Sequence, residues 1–181
     1  MPDAVDEIIA RLHPAVRAFT RPPFALETDL ARLLRVWRLE AAEAVLLYAT
    51  RILDALAAAA LERAGLPATK NLYINVSLLR YYHLLPVNTG EWAHALRRLG
   101  NDARHLRRPL GAAEAELAAA LCEQVLAWFF CGAGGLSALA VDGAPVFPVS
   151  PALRADVAAF DAPGFDPRAL LASLCARRPA H

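Results

Sequence analysis

Residues 28–61 read TDLARLLRVWRLEAAEAVLLYATRILDALAAAAL, and this stretch decides the fold class. Its apolar residues recur throughout at the three- and four-residue spacing of an amphipathic helix. Thr28 and Asp29 are both good N-caps and predict the start of the helix, while Gly65 and Pro67 predict its end. The pattern predicts either one long helix or two helices joined by a bend, and the periodicity fits both.

The same periodicity predicts further helices on both sides of this stretch. The first should kink or break at Pro14, because a proline inside a helix removes a hydrogen bond and clashes with the preceding turn. No sustained two-residue alternation, the pattern of strands, occurs before residue 140. The sequence therefore predicts an all-α protein, an up-and-down helical bundle. The other expected helices cover about residues 4–18, 76–84, 91–106 and 112–130, with a loop at 84–90.

The last quarter of the chain has a different pattern. Residues 140–147 carry an Asp-Gly turn between two short apolar runs, which predicts a small hairpin. Ser150 and Asp166 each precede a proline, the arrangement of an N-cap followed by the first helical residue. We expect a small, irregular appendage with short helices that packs on the bundle. These helices should cover about 151–160 and 167–177, within an appendage of residues 136–181 on a bundle of residues 1–135.

Charge and cysteine content narrow the class of protein. The net charge is +1, which argues against a polybasic tail or a strongly acidic surface. All basic residues except Lys70 are Arg, a bias that suits bidentate phosphate contacts and that GC-rich coding also produces. The cysteines form no CxxC pair, and the first residues are acidic where a secretory leader is basic. We therefore expect a cytoplasmic protein with reduced thiols at Cys122, Cys131 and Cys175.

The sequence favours neither a membrane-spanning protein nor a protein with a metal or cofactor site. Residues 125–141 carry no charge, but this run is short for a bilayer and is interrupted by glycines, so we expect a buried helix and a turn and no membrane span. No group of His, Cys, Asp and Glu has the spacing of a metal site, and no glycine-rich phosphate loop follows a strand. We therefore expect neither a metal nor a cofactor.

The helix expected over residues 91–106 has one apolar and one polar stripe when plotted at about 100° per residue. Arg98 and His105 lie roughly 10 Å apart along the polar side, with Asn101 between them. A guanidinium, an amide and an imidazole that titrates near neutral pH suit phosphodiester chemistry, although a solvated helix face has the same composition. The apolar stripe consists of Trp92, Leu96, Leu99, Ala103 and Leu106, and the polar stripe of His94, Arg98, Asn101 and His105.

Two segments of this region resemble one branch of the HEPN superfamily, the higher-eukaryote and prokaryote nucleotide-binding proteins. The segments are residues 79–86, LRYYHLLP, and residues 96–105, LRRLGNDARH. Upstream, Arg51 and Asp54 are similar to the Arg-x-x-Glu helix of the branch, with Asp in place of Glu. The branch is a helical domain of unknown function that is also found attached to restriction-enzyme subunits, and the resemblance covers about residues 40–130.

The resemblance implies a metal-independent endoribonuclease acting in prokaryotic defence or stress response. Active HEPN proteins cut RNA with an Arg and a His a few residues apart, and two protomers face each other across a cleft. Carried over, Arg98 would contact the phosphate, His105 would act as general acid or base, and Asn101 would orient them. This site needs a homodimer, since one helix carries only half of it. The RNA-binding candidates around it are Arg97, Arg104, Arg107, Arg108 and His94.

Two other functions remain open at this point. The chain could be a non-catalytic module that dimerises, binds RNA or a nucleotide, or docks to a partner protein encoded nearby. It could also be an adaptor whose working surface is the tail over residues 142–181. Leu99 stands where a polar residue often follows the motif Arg, and Gly100 inside the helix suggests close packing against a partner or a kink.

Overall fold

Eight helices and two short hairpins make up the part of the chain that the structure describes. This computed structural model describes residues 1, 3–105, 109–130, 140–141, 144–147 and 149–158. The predicted all-α class, a helical bundle with a short appendage, is confirmed. The helices are α1 (Ala4–Ala10), α2 (Pro14–Ala18), α3 (Leu26–Arg38), α4 (Ala42–Arg63), α5 (Leu72–Tyr81), α6 (Val87–His105), α7 (Ala112–Phe129) and α8 (Pro151–Ala158). The antiparallel hairpins pair β1 (Thr20–Arg21) with β2 (Phe24–Ala25) and β3 (Ala140–Val141) with β4 (Ala144–Pro145).

Helix α4 is the centre of the bundle and packs against α3, α5, α6 and α7. Its Leu46, Ile52, Leu56 and Leu61 side chains are fully buried, which stabilises the fold by roughly 1.5–3 kcal/mol for each. Among the described helices, α4 alone has the length and hydropathy to cross a membrane, and 67% of its most apolar window is buried inside the protein. The neighbouring helices thus cover most of the apolar surface of α4, as expected for a core helix.

Residues 28–61 form two helices, which settles the alternative that the periodicity left open. Helix α3 ends at Arg38, and Glu40 adopts a left-handed backbone conformation with φ 55°. The Ala41 N–H then donates to the Val36 carbonyl at 3.0 Å, which satisfies an end-of-helix carbonyl and turns the chain into α4. Glycine is the usual residue at such a position, so a glutamate gives no sequence signal of the break.

The predicted start of the first of these helices, at Thr28 or Asp29, is wrong. Helix α3 begins at Leu26, and its N-cap Ala25 makes no side-chain capping bond. The residue before the β1–β2 hairpin supplies the missing acceptor, because the Leu26 N–H donates to the Phe19 carbonyl at 3.1 Å and so fixes the start of α3. Asp29 lies inside the first turn and is only 1% exposed, and its carboxylate accepts a hydrogen bond from Arg51 of α4 instead of capping the helix.

The N-terminal helix breaks as predicted around Pro14. Helix α1 ends at Ala10, and Pro14 is the first residue of α2. The Nδ1 atom of His13 accepts a hydrogen bond from the Ala15 N–H at 3.1 Å and caps the second helix. A proline is tolerated there because the first residue of a helix has no intrahelical partner for its N–H.

The bounds of α5 and α6 differ from those predicted. Helix α5 starts at Leu72, several residues earlier, because Asn71 Oδ1 accepts a hydrogen bond from the Ile74 N–H at 3.2 Å and caps it. Helix α6 starts at Val87, so the last residues of the predicted loop are helical and that part of the prediction is wrong. Gly90 suggested a loop, but it is a packing position where a Cβ would lie 2.7 Å from Cδ of Arg80.

The appendage contains the predicted hairpin and the first predicted helix. Helix α8 starts at Pro151, where Ser150 Oγ accepts a hydrogen bond from the Leu153 N–H at 3.2 Å. Arg154 donates to both carboxylate oxygens of buried Glu123, at 3.1 and 3.2 Å, and so ties α8 to α7. The helix predicted over 167–177, the turn at 142–143, and Cys131 and Cys175 lie outside the described residues.

Candidate functional site

Helix α6 carries the candidate site, and its apolar side is the one predicted. Trp92, Leu96, Leu99 and Ala103 are all buried, whereas Leu106 lies outside the described residues. The polar stripe is only partly correct. His94 is 7% exposed and its ring lies 5.5 Å from that of Tyr73, so its prediction as a residue of the solvated face is wrong because α5 packs over it.

A close contact between α6 and α4 sets how the two helices are rotated against each other. A Cβ on Gly100 would lie 2.9 Å from Cβ of Thr50 and closer still to its hydroxyl oxygen. The Thr50 hydroxyl donates to the Leu46 carbonyl at 2.7 Å and is fixed in this position. The close packing expected at Gly100 therefore exists, but its partner is α4 of the same chain.

Beside this contact lies a cavity of about 570 Å³, which we call the basic cleft. It is bounded by α4, α6 and the start of α5 with the loop before it. Four of the lining side chains are cations and one is a carboxylate, so the cleft is strongly electropositive. The cations are Arg51, Lys70, Arg97 and Arg104, the carboxylate is Asp54, and the remaining lining residues are Thr50, Asn71, Leu72, Tyr73 and Asn101.

Arg51 reaches the basic cleft from α4 and is oriented by the buried Asp29 of α3. Its Nε donates to Asp29 Oδ2 at 2.9 Å, and a second nitrogen lies 3.5 Å from Oδ1. This hydrogen bond with Asp29 raises the pKa of the Arg51 guanidinium, against a smaller opposing effect of burial. Asp29, from its position in the first turn of α3, thus orients the Arg51 guanidinium at the cleft.

Lys70 and Asn71 come from the loop before α5, which the buried Asn75 fixes. Asn75 Oδ1 accepts hydrogen bonds from the Thr69 N–H and the Thr69 hydroxyl, both at 2.8 Å. The Asn75 amide nitrogen donates in turn to the Thr69 carbonyl at 3.0 Å. Because Asn75 is fully buried in α5, these three bonds hold the neighbouring Lys70 and Asn71 at the mouth of the cleft.

On the α6 side, Arg97 lies over the ring of Tyr73, with its guanidinium carbon 5.2 Å from the ring centre. Its Nε is buried and has no hydrogen-bond partner among the described residues. Burial, followed by the repulsion of Arg98, lowers the pKa of the Arg97 guanidinium, which nevertheless stays charged at any physiological pH. A partly desolvated cation with an unused donor favours an anion as its partner.

Asp54, the carboxylate of the basic cleft, lies on α4 one turn after Arg51. Desolvation raises its pKa, while the charges of Arg21 and Arg104 act in the opposite direction. Asp54 and the Asp29 that pairs with Arg51 are two carboxylates against four cations, so the positive potential is not cancelled. Among the described residues, no group of three or more His, Cys, Asp and Glu is arranged to hold a metal ion.

The structure divides the candidate residues of α6 into two groups. Arg97, Asn101 and Arg104 line the basic cleft at a spacing of four and three residues. Arg98 and His105 are exposed and do not line it. Arg107 and Arg108 lie outside the described residues. Sequence reasoning missed Lys70, Asn71 and Tyr73 as site residues, since nothing in their local pattern places them beside α6.

Residues 34–138 match the model of a family described as a domain of unknown function, DUF4145. The chain belongs to the DUF4145 family. Every residue that lines the basic cleft lies inside the DUF4145 match, whereas α1, α2 and α8 lie outside it. Comparisons with curated proteins and with solved structures found no match. The cleft is therefore a feature of the DUF4145 region of this chain.

Proposed function

We propose that the basic cleft binds the phosphate of RNA or of a nucleotide. The observation that carries this proposal is the convergence of four cations on one cavity, where Asp54 lines the wall and Asp29 pairs with only one of the four, Arg51. Lys70, Arg97 and Arg104 form no ion pair within the described part of the chain, so their charges are available to a ligand. Arg51 is held in place by Asp29 and presents a guanidinium that suits bidentate contact with phosphate.

The neutral groups of the basic cleft also suit a phosphate. The amide groups of Asn71 and Asn101 can each donate hydrogen bonds to phosphate oxygens. Helix α5 begins at Leu72 in the wall of the cleft, and the N–H groups and dipole at a helix N-terminus favour a negative charge. The cavity volume of about 570 Å³ lies in the range of sites for small ligands.

A relationship to the HEPN superfamily is part of this proposal. Two of the sequence pieces that resemble the HEPN branch lie far apart in the chain, with Arg51 and Asp54 of the upstream piece on α4 and Asn101 of the 96–105 piece on α6. All three side chains line the basic cleft. Convergence of separate motif pieces on one cavity supports a shared ligand site more than either piece alone.

Phosphate binding is tested by fluorescence anisotropy with a short, labelled single-stranded RNA. Arg104→Ala should weaken binding by about fivefold to tenfold, because it removes one phosphate contact. Arg38→Ala is the matched control, since Arg38 is exposed in the last turn of α3 and does not line the cleft. If neither RNA nor a nucleotide binds, or if both variants lose affinity equally, the proposal fails.

A second candidate function is a metal-independent endoribonuclease with Arg98 and His105 as a composite site. Both side chains are exposed on α6 outside the basic cleft, where a second copy of the chain could reach them. Arg98 would neutralise the phosphate and His105 would transfer a proton, while a homodimer would supply the second set. Asn101, between them in sequence, lines the cleft and would link strand binding to cleavage.

The nuclease proposal has a direct test. Purified protein is incubated with labelled RNA in excess chelator, beside the His105→Ala variant, and its mass in solution is measured by light scattering. Cleavage that His105→Ala abolishes, together with a dimeric mass, would support the enzyme. Absence of cleavage, or cleavage that persists in the variant, would rule out this site and leave the binding function standing.

The biological setting is proposed from the sequence alone. It is a role in prokaryotic defence or stress response, in the cytoplasm, with a partner protein encoded nearby. Capture of a partner by the full chain and loss of that capture when residues 142–181 are removed would favour the adaptor function over nucleic-acid binding. Unchanged RNA affinity in the shortened chain would show that the two surfaces are separate.

A further inference from the structure

A second cavity, of about 420 Å³, lies between α5 and the start of α6, and we call it the tyrosine pocket. Its walls include the rings of Tyr73 and Tyr81 and the apolar side chains of Leu85 and Val87. Tyr73 is also part of the wall of the basic cleft. The two cavities are therefore neighbours that share one aromatic side chain.

The tyrosines of this pocket expose an unusual amount of aromatic surface. Tyr81 is 75% exposed and Tyr73 is 54% exposed. Large side chains left open to water beside a cavity mark a binding surface more often than scattered single apolar residues do. Tyr82 packs edge-on against Tyr81, with ring centres 5.0 Å apart, and helps to hold that ring in place.

The polar groups of the tyrosine pocket differ in charge from those of the basic cleft. Its arginine, Arg80, is paired with Glu91 at 3.1 Å. His94 forms part of the wall, is buried, and has no hydrogen-bond partner for Nδ1 among the described residues. Burial, and then the charges of Arg97 and Arg80, lower the pKa of His94, which keeps the imidazole neutral at neutral pH. Aromatic walls with a neutral imidazole suit an uncharged flat ring more than a phosphate.

We infer that the tyrosine pocket binds the base of the nucleotide whose phosphate occupies the basic cleft, with Tyr81 as the stacking surface. This inference rests on the proposed phosphate-binding function. A base and its phosphate are joined through one sugar, so their sites have to be adjacent, and the shared Tyr73 makes these two cavities adjacent. Aromatic side chains bind bases by stacking with little dependence on base identity. The ligand is a free nucleotide or one unit of a single strand.

The experiment is a calorimetric titration of the full chain with three probes: triadenylate, an abasic trinucleotide with the same sugar-phosphate backbone, and AMP. Triadenylate should bind at least about tenfold tighter than the abasic probe, because only it can stack. Tyr81→Ala should weaken triadenylate binding by about fivefold to a hundredfold and leave abasic binding unchanged. AMP binding as tight as that of triadenylate would identify a free nucleotide as the ligand, and weaker AMP binding would identify a strand.

Three further variants test whether a loss of affinity comes from base stacking on the ring of Tyr81. Tyr81→Phe should retain triadenylate affinity, because the phenyl ring stacks as the phenol does. Leu39→Ala removes an exposed apolar side chain that lines neither cavity, and it should leave the affinity for all three probes unchanged. Arg104→Ala should weaken triadenylate and the abasic probe alike, since it acts on phosphate. Because Tyr81 is mostly exposed, its variants should unfold at the urea concentration that unfolds the wild-type chain.

The possible outcomes distinguish base binding in the tyrosine pocket from phosphate binding in the basic cleft. Equal affinity for triadenylate and the abasic probe, with no effect of Tyr81→Ala on either, would overturn the base pocket while leaving phosphate binding intact. Absence of binding by all three probes would overturn both proposals. A loss in Tyr81→Ala that is the same for both trinucleotides would also overturn stacking, because the abasic probe has no base to stack.

Discussion

Gly100 of α6 lies against the side chain of Thr50 of α4, so closely that a Cβ on Gly100 would come within 2.9 Å of Thr50 Cβ. This contact brings the side of α6 that carries Arg97, Asn101 and Arg104 beside the exposed residues of α4. Arg97 and Arg104 consequently face Arg51 and Asp54 across the basic cleft. A helix interior is an unfavourable place for glycine, and the close approach of the Thr50 side chain explains why one stands here.

Gly100→Ala should therefore destabilise the protein even though alanine is the better helix former. Overpacking costs about 1–3 kcal/mol, and because the Thr50 side chain is fixed and very close we expect a cost in the upper part of this range, which outweighs the gain of about 1 kcal/mol in helix propensity. Urea unfolding measures the change in the free energy of unfolding. Thr50→Ala combined with Gly100→Ala should recover part of the loss, because it removes the hydroxyl and the methyl group of Thr50, and only part, because Cβ of residue 50 stays. A Gly100→Ala protein more stable than the wild type would contradict the contact.

The buried Asp29 supports a second prediction, because it holds Arg51 at the cleft through the 2.9 Å hydrogen bond from Nε. Asp29→Asn keeps the side-chain volume but removes the charge, so the bond to the guanidinium weakens. The free energy of unfolding should fall by about 1.5–3 kcal/mol at most, the scale of a hydrogen bond to a charged group. RNA affinity should fall severalfold in anisotropy titrations, because Arg51 is no longer held toward the ligand.

Glu27→Gln is the control for Asp29→Asn. Glu27 also lies in the first turn of α3, but it is paired at 3.7 Å with the exposed Arg17 and does not line the basic cleft. Its loss should leave RNA affinity unchanged. Equal affinities of the Asp29→Asn and wild-type proteins would mean that the hydrogen bond from Arg51 to Asp29 does not contribute to binding.

The sequence predicted the apolar face of α6, but not which of its polar residues come together or which helix they meet. Periodicity and the prolines were enough for the helical class and for the break at Pro14. Rotation of α6 is set by the contact of Gly100 with Thr50, a long-range relation that a helical wheel does not contain. For this reason the wheel grouped Arg98 and His105 with Asn101, whereas the cleft groups Arg97 and Arg104 with it.

Burial of His94 predicts how stability depends on pH. Burial, followed by the positive charges of Arg97 and Arg80, lowers the pKa of His94 from its ordinary value of 6.5 in the folded protein, while Glu91 opposes the shift. Below about pH 6.5 His94 binds a proton in the unfolded chain more readily than in the folded chain. The free energy of unfolding therefore has its full value above that pH and declines as the pH falls below it. Urea unfolding at pH 7.5 and at lower pH values should show this decline. His94→Gln should reduce it, and an equal decline in both proteins would refute the assignment.

Phosphate binding in the basic cleft predicts a particular salt dependence. Each phosphate contact with a single strand contributes about −0.7 to the slope of log K against log salt concentration. Arg104→Ala and Lys70→Ala should each reduce the magnitude of the slope by about 0.7, since each removes one cation from the cleft. Arg38→Ala should keep the wild-type slope, because that exposed cation lies outside the cleft. Anisotropy titrations of a labelled RNA at four salt concentrations measure the slopes, and identical slopes in all four proteins would show that RNA binds elsewhere.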